Sequence, residues 1–149
     1  MAQTRTTDNG RRRGPVRADT VLTIDTQWYD PAVTVVTVGG VVDAANVDSL
    51  IDTVLDRAML CCSMIVDMRG VRYLSVSGFE ALRLLDARCA LADTRWTVIP
   101  SSAVRRLLRR FDLTGQVPTT ASLEQAFAAA ELHVPIVQFA GPDGDNKTA

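Results

Sequence analysis

The chain has 149 residues, 47% of them hydrophobic, 22% charged and 5% aromatic, which supports one globular core and no second domain. Lys plus Arg is 16 and Asp plus Glu is 17, so the net charge of -1 provides no overall field for nucleic acid or an anionic membrane. Three cysteines and a single histidine, His133, are too few for a disulfide framework or a four-ligand structural zinc site.

Lys147 is the only lysine and lies in a polar tail, which removes phosphate-loop and Schiff-base chemistry from consideration. No apolar run approaches the ~18 residues of a membrane span, and the Arg-rich start lacks the apolar stretch of a secretory signal, so a cytoplasmic protein is expected. No metal or other cofactor is expected either, and no Ser/His/Asp or Cys/His constellation nominates a catalytic residue.

In chain order, residues 1–19 carry Arg5, Arg11, Arg12, Arg13 and Arg17 with almost no apolar periodicity, and read as a flexible basic arm. Val21–Ile24 is a short alternating strand. Ala32–Val38 is a β-branched strand that the pattern ends at a Gly39-Gly40 turn. Asp43 or Asn46 is placed to cap a helix running to about Leu60, apolar at Val47, Leu50, Ile51, Val54 and Leu55 and acidic at Asp48, Asp52 and Asp56.

Ser63–Asp67 is the continuous apolar run of a strand covered on both faces, and Met68–Val76 reads as a loop. Ser75 or Ser77 then caps a helix through about Ala92, with Gly78 in its first turn allowing a close approach to a neighbouring backbone. Trp96–Ile99 is a strand stopped by Pro100. Ser102–Phe111 is a helix with Val104, Leu107, Leu108 and Phe111 in one stripe, four arginines opposite, and Gly115 as its stop. A short strand at Val117–Thr119, a helix at Ser122–Ala130, an extended piece at Val134–Phe139 and a disordered tail at 141–149 complete the reading. Strands first, then strands alternating with helices, predict a mixed sheet with helices packed on it, the first two side by side.

Four motifs in order then resemble one family. They are Gly40-Val41-Val42-Asp43, the stretch from Asp67-Met68-Arg69-Gly70-Val71 to Ser75-Val76-Ser77-Gly78-Phe79, Leu107 through Asp112-Leu113-Thr114-Gly115, and Ser122-Leu123-Glu124-Gln125-Ala126. Together they resemble the STAS domain of anti-sigma-factor antagonists over about Val21 to Ala130, within a domain set at 20–140. The resemblance implies an α/β fold, a STAS-like mixed β-sheet with about four helices packed on it. It also implies a non-enzymatic protein that binds an anti-sigma factor, often a serine kinase, and so releases a sigma factor.

In that family the loop before the second helix reads Asp-Ser-Ser-Gly or Asp-Ser-Thr-Gly, and its first hydroxyl residue is phosphorylated. Here Ser75 stands for the Asp and Val76, which has no hydroxyl, for the acceptor. Control is then absent, shifted to Ser75 or Ser77 as acceptor, or exerted through thiols or another ligand. The implied partner surface comprises Asp43, Ser75, Val76, Ser77 and Gly78. Each also has a plainer reading: caps for the serines and Asp43, and a solvated polar face for the arginines after Val104. Cys61, Cys62 and Cys89 are either core thiols or a redox switch, the latter within an alternative reading as a STAS-type redox or small-ligand sensor.

Overall fold

Alternation inside and outside a sheet sets the first two strands. The computed structural model describes residues 21–30 and 32–133; the basic arm, the piece at Val134–Phe139 and the tail at 141–149 lie outside them. β1 (Thr23–Asp30) buries Ile24 and Thr26 and exposes Asp25 and Gln27, so it is longer than its short apolar start. It runs antiparallel to β2 (Val33–Val42), pairing from Thr23 with Gly39 to Asp30 with Val33.

β2 does not turn at Gly39-Gly40 but runs straight through it. Gly39 pairs with Gly70, and a Cβ on Gly70 would lie 3.4 Å from the Gly39 Cα, so two backbones approach where two side chains are missing. Gly40 has φ +88 and a Cβ there would sit 1.8 Å from the Val21 carbonyl oxygen, so only glycine fits. The ladder shifts register on either side of this pair, as at a bulge.

α1 (Val47–Ala58) follows, burying Leu50, Val54 and Ala58 and exposing Asp48, Asp52 and Asp56. β3 (Ser63–Leu74) lies parallel to β2 and extends well past Asp67 into the stretch expected as a loop. α2 (Val76–Leu91), β4 (Arg95–Pro100), α3 (Ser102–Phe111) and α4 (Leu123–His133) complete the elements. α3 has the bounds expected from its apolar stripe, but its stop is Asp112, whose carboxylate accepts from the Gln116 and Val117 amides at 2.9 and 3.0 Å, rather than Gly115. Val117–Thr119 reduces to a single parallel bridge between Val98 and Thr119, with Val98 N donating to Pro118 O and Thr120 N to Val98 O. The α4 start is held by Ser122 Oγ, which accepts from the Gln125 amide at 3.1 Å.

The sheet order is β1-β2-β3-β4, with only the β1–β2 pair antiparallel. Both crossovers step in the same direction across the sheet, so right-handed connections put α1 and α2 on one face, where they pack on each other beside α3. That face holds the larger core, including Val36, Val38, Val66, Met68, Leu82, Leu85 and Leu108. α4 covers the other face through Ala126 and Ala130 on Val33, Val35, Ile65 and Ile99.

Candidate functional site

The C-terminal ends of β2 and β3 bring the sequence-predicted residues together. Ser75 N donates to Val42 O at 3.0 Å, which ties the start of α2 to the residue preceding Asp43. Ser75 is extended (φ -82, ψ 174) and its Oγ accepts from the Gly78 amide at 3.2 Å, so Ser75 rather than Ser77 caps the helix. Val76 opens the helix and is 52% exposed, while Ser77 is half-buried. Gly78 is buried, and a Cβ there would lie 2.3 Å from Leu74 Cδ1 and 3.2 Å from Val42 Cγ1, so no side chain fits. The close approach is therefore to side chains of the two strand ends, not to a neighbouring backbone.

Asp43 does not cap α1. Its Oδ1 accepts from the Ala45 amide at 3.0 Å, its carbonyl accepts from Val47 N at 2.9 Å, and its own amide donates to Asn46 Oδ1 at 3.0 Å. Asn46 is at the cap position without a side-chain cap bond; its amide group bridges Asp43 and Val41 O instead. This interlocked turn holds the half-buried Asp43 at the same end of the sheet as Ser75.

On the other side of the α2 start, the end of β3 meets α3 in an open groove of about 220 Å³ lined by Arg72, Tyr73, Arg106, Leu107 and Arg110. Tyr73 is 54% and Phe111 43% exposed, and the Phe111 ring lies 5.7 Å from that of Phe79 in the first turns of α2. Arg110 lies over the Phe111 ring at 5.9 Å. Sequence reasoning separated these residues, because Arg72 and Tyr73 fell in an expected loop and the α3 arginines in a solvated face.

Asp67 and Arg69, at the end of the expected strand and in the expected loop, form a fork in β3: Arg69 Nε and Nη2 donate to the two carboxylate oxygens at 2.9 and 2.8 Å, and its amide donates to Oδ1 at 3.1 Å. Burial pushes the Asp67 carboxyl up, but the hydrogen bonds and charge of Arg69 outweigh it and hold the group below its ordinary value. The pair braces the strand that carries Arg72 and Leu74 to the site.

The three cysteines are thiols outside any disulfide and lie at the opposite end of the sheet. Cys61 packs on the larger core and Cys62 on the smaller one, so adjacent residues face opposite sides. Cys61 Sγ donates to Arg57 O at 3.2 Å, and burial pushes its thiol up. Burial, then the neighbouring Cys61 and Asp86, push the Cys89 thiol up to about 12, which suppresses the thiolate that redox chemistry needs. Among the described residues no three His, Cys, Asp or Glu side chains converge as metal ligands, and no helix is long and apolar enough to cross a membrane. The His133 side chain lies outside what is described.

Comparison with known proteins bears on this geometry. The family model of the STAS domain matches residues 24–126. Osmosensory protein A of Mycobacterium tuberculosis is 34% identical over 71 residues, 48% of this chain and 45% of that protein, so the match spans less than half of the relative. Among solved structures, an anti-sigma factor antagonist from Mycobacterium paratuberculosis superposes with a TM-score of 0.67 at 21% identity, covering 78% of this chain and 99% of that one. The anti-sigma factor antagonist SpoIIAA in its unphosphorylated form gives 0.60 at 15% identity, covering 75% and 99%. At these identities the superpositions establish the shared fold, and the family model establishes the membership: the chain belongs to the STAS-domain family.

Proposed function

We propose that the chain is an anti-sigma-factor antagonist. It binds an anti-sigma factor of the serine-kinase type in the cytoplasm and thereby frees a sigma factor, regulating transcription by partner switching and not by catalysis. The contact surface is the start of α2 (Ser75, Val76, Ser77, Gly78) with Asp43 beside it.

The observation that carries this reading is the exposed Val76 on a capped, tightly seated helix start, the residue that the motif resemblance aligns with the family's acceptor hydroxyl. An exposed apolar residue on a rigid turn is suited to burial in an interface, and it leaves the usual phosphate without an attachment point. The two solved neighbours described as anti-sigma factor antagonists support extending that role to this chain. Ser75 and Ser77 are the remaining hydroxyls in the turn, and the Ser75 oxygen is already engaged as the cap.

The test is calorimetric titration of the full chain into each purified serine-kinase anti-sigma factor of its own organism, with the cognate sigma factor as competitor. Saturable binding that displaces the sigma factor, weakened about tenfold or more by Val76→Asp, is expected. Absence of binding to every such factor, or binding indifferent to Val76→Asp, refutes the reading or its surface respectively.

A further inference from the structure

The groove between the end of β3 and α3 has a charge pattern that the shared role does not explain. Arg106 and Arg110 are a helical turn apart on the exposed face of α3, and among the described residues neither lies within salt-bridge distance of a carboxylate. Arg72 lines the same groove from β3, and among the described residues no acidic side chain lines it. Tyr73, half-exposed, lines it as well, and the exposed Phe111 follows Arg110 in α3.

A merely solvated helix face needs no such company. The opposite end of the molecule also exposes large apolar side chains, Met59, Leu60 and Leu91, and the cleft at residues 63–65 and 95–97 has Arg95 in its lining where the groove at α3 has Arg72, Arg106 and Arg110. Arginine with aromatic and aliphatic surface is the composition of strongly contributing interface residues, and a guanidinium binds carboxylates in a fixed two-pronged geometry.

We propose that this groove docks an acidic segment of the partner protein, with its carboxylates on Arg106 and Arg110 and its apolar side chains on Tyr73 and Leu107. The inference rests on the protein-binding role proposed above and names the chemistry of the partner. A polynucleotide fits less well, because the chain as a whole carries a net charge of -1 and supplies no long-range attraction. With Asp43 at the same end of the sheet, the interface is acidic at one point and basic at another, which fixes the orientation of the partner as well as its affinity.

The probe is a synthetic peptide of about 12 residues with Glu and Leu on opposite helical faces, compared with its Glu→Gln counterpart and a single-stranded DNA oligonucleotide. Each is titrated into the isotope-labelled full chain and followed by amide chemical shifts. Shifts clustered at Arg72–Leu74 and Ala103–Arg110, seen with the Glu peptide and not the Gln peptide, are expected. Affinity should fall with salt and drop about tenfold or more in the Arg106→Glu, Arg110→Glu double variant. The charge-matched control Arg88→Glu, Arg95→Glu should leave it unchanged.

Shifts elsewhere, equal binding of the Gln peptide, or tighter binding of the oligonucleotide at the same arginines would overturn the proposal. So would salt-sensitive self-association lost in the double variant, since the occupant would then be the acidic stripe of α1 on a second copy. Failure to bind any anti-sigma factor would remove the proposed role while leaving the peptide titration to decide the groove. An anti-sigma factor that binds the double variant with full affinity would remove the groove and leave the role standing.

Discussion

Replacing Gly40 by alanine asks one backbone position, just ahead of Asp43, to absorb two separable costs. The first is conformational: at φ +88 an L side chain loses about 1–2 kcal/mol. The second is steric, because the new Cβ would sit 1.8 Å from the Val21 carbonyl oxygen and 2.8 Å from its carbon, far inside the ~3.5 Å of an ordinary contact. The main chain entering β1 must retreat, and it carries the fully buried Leu22, whose burial contributes about 1.5–3 kcal/mol. Giving up most of that burial brings the total to about 2–5 kcal/mol, a large part of the ~5–15 kcal/mol that a domain of this kind has.

Gly115→Ala is the internal control, since Gly115 has φ +70 but nothing within 4 Å of the place an added methyl group would take, so it should cost only the conformational ~1–2 kcal/mol. Both substitutions stiffen the unfolded chain similarly, so that contribution cancels in the difference. Urea unfolding followed by fluorescence of Trp28 and Trp96 gives both values by linear extrapolation. If Gly40→Ala fails to exceed Gly115→Ala by at least about 1 kcal/mol, the argument that backbone proximity dictates glycine here is wrong.

Three other perturbations separate local roles. Val76→Asp should leave the isolated chain at least as stable as the parent in urea, because Val76 is half-exposed and the first turn of α2 has no acidic residue to complement its dipole; a loss above about 1 kcal/mol would mean that Val76 packs inward. The Asp67 carboxyl is held below its ordinary value, so its pairing stabilises the fold above the unfolded carboxylate pKa of ~3.9 and fades as pH falls through the lower folded value. Arg69→Gln should therefore cost about 1 kcal/mol near neutral pH, a modest figure because Arg69 is half-exposed, and progressively less as acid protonates Asp67; a pH-independent loss would assign the effect to packing. With its thiol pushed up to about 12, Cys89 should stay unlabelled by a thiol reagent at pH ~8 until the chain unfolds, and labelling at the rate of a free thiol would mean this corner opens.

What could be read from the sequence follows from where each element meets its neighbours. α3 was legible in its bounds because Val104 and Leu108 pack on one core and Ser101 caps it, Oγ accepting from the Val104 amide at 3.2 Å, although Phe111, expected in the same stripe, is exposed. The second half of β3 was not, because Arg69, Arg72 and Tyr73 point outward and only the ladder to the end of β2 holds them in a strand. Gly39-Gly40 carries an ordinary turn signal, and nothing local distinguishes it from a bulge that exists because Gly70 and Val21 come close in space. At the site, the spacing offered Ser75 or Ser77 as the cap and the structure selects Ser75, whereas Gly78, expected against a backbone, seats against the side chains of Leu74 and Val42. The arginine groove was not, since it exists only once β3 and α3 lie side by side. Asp43 illustrates the same limit: a residue suited to capping instead joins a turn whose partner, Asn46, was the other candidate cap.

The bridge at Val98 has a consequence for how this molecule meets others. Its amide and carbonyl on the outer side of β4 are taken by Pro118 O and Thr120 N, both at 2.9 Å, so the chain's own segment occupies the place where a foreign strand would add. On the far margin, β1 turns Asp25 and Gln27 to solvent, polar side chains of the kind that discourage sheets from stacking into fibrils. Complexes formed along the β4 margin cannot grow by continuing the backbone ladder. Along that margin attachment is left to side chains, whose contacts form and release without unzipping the sheet.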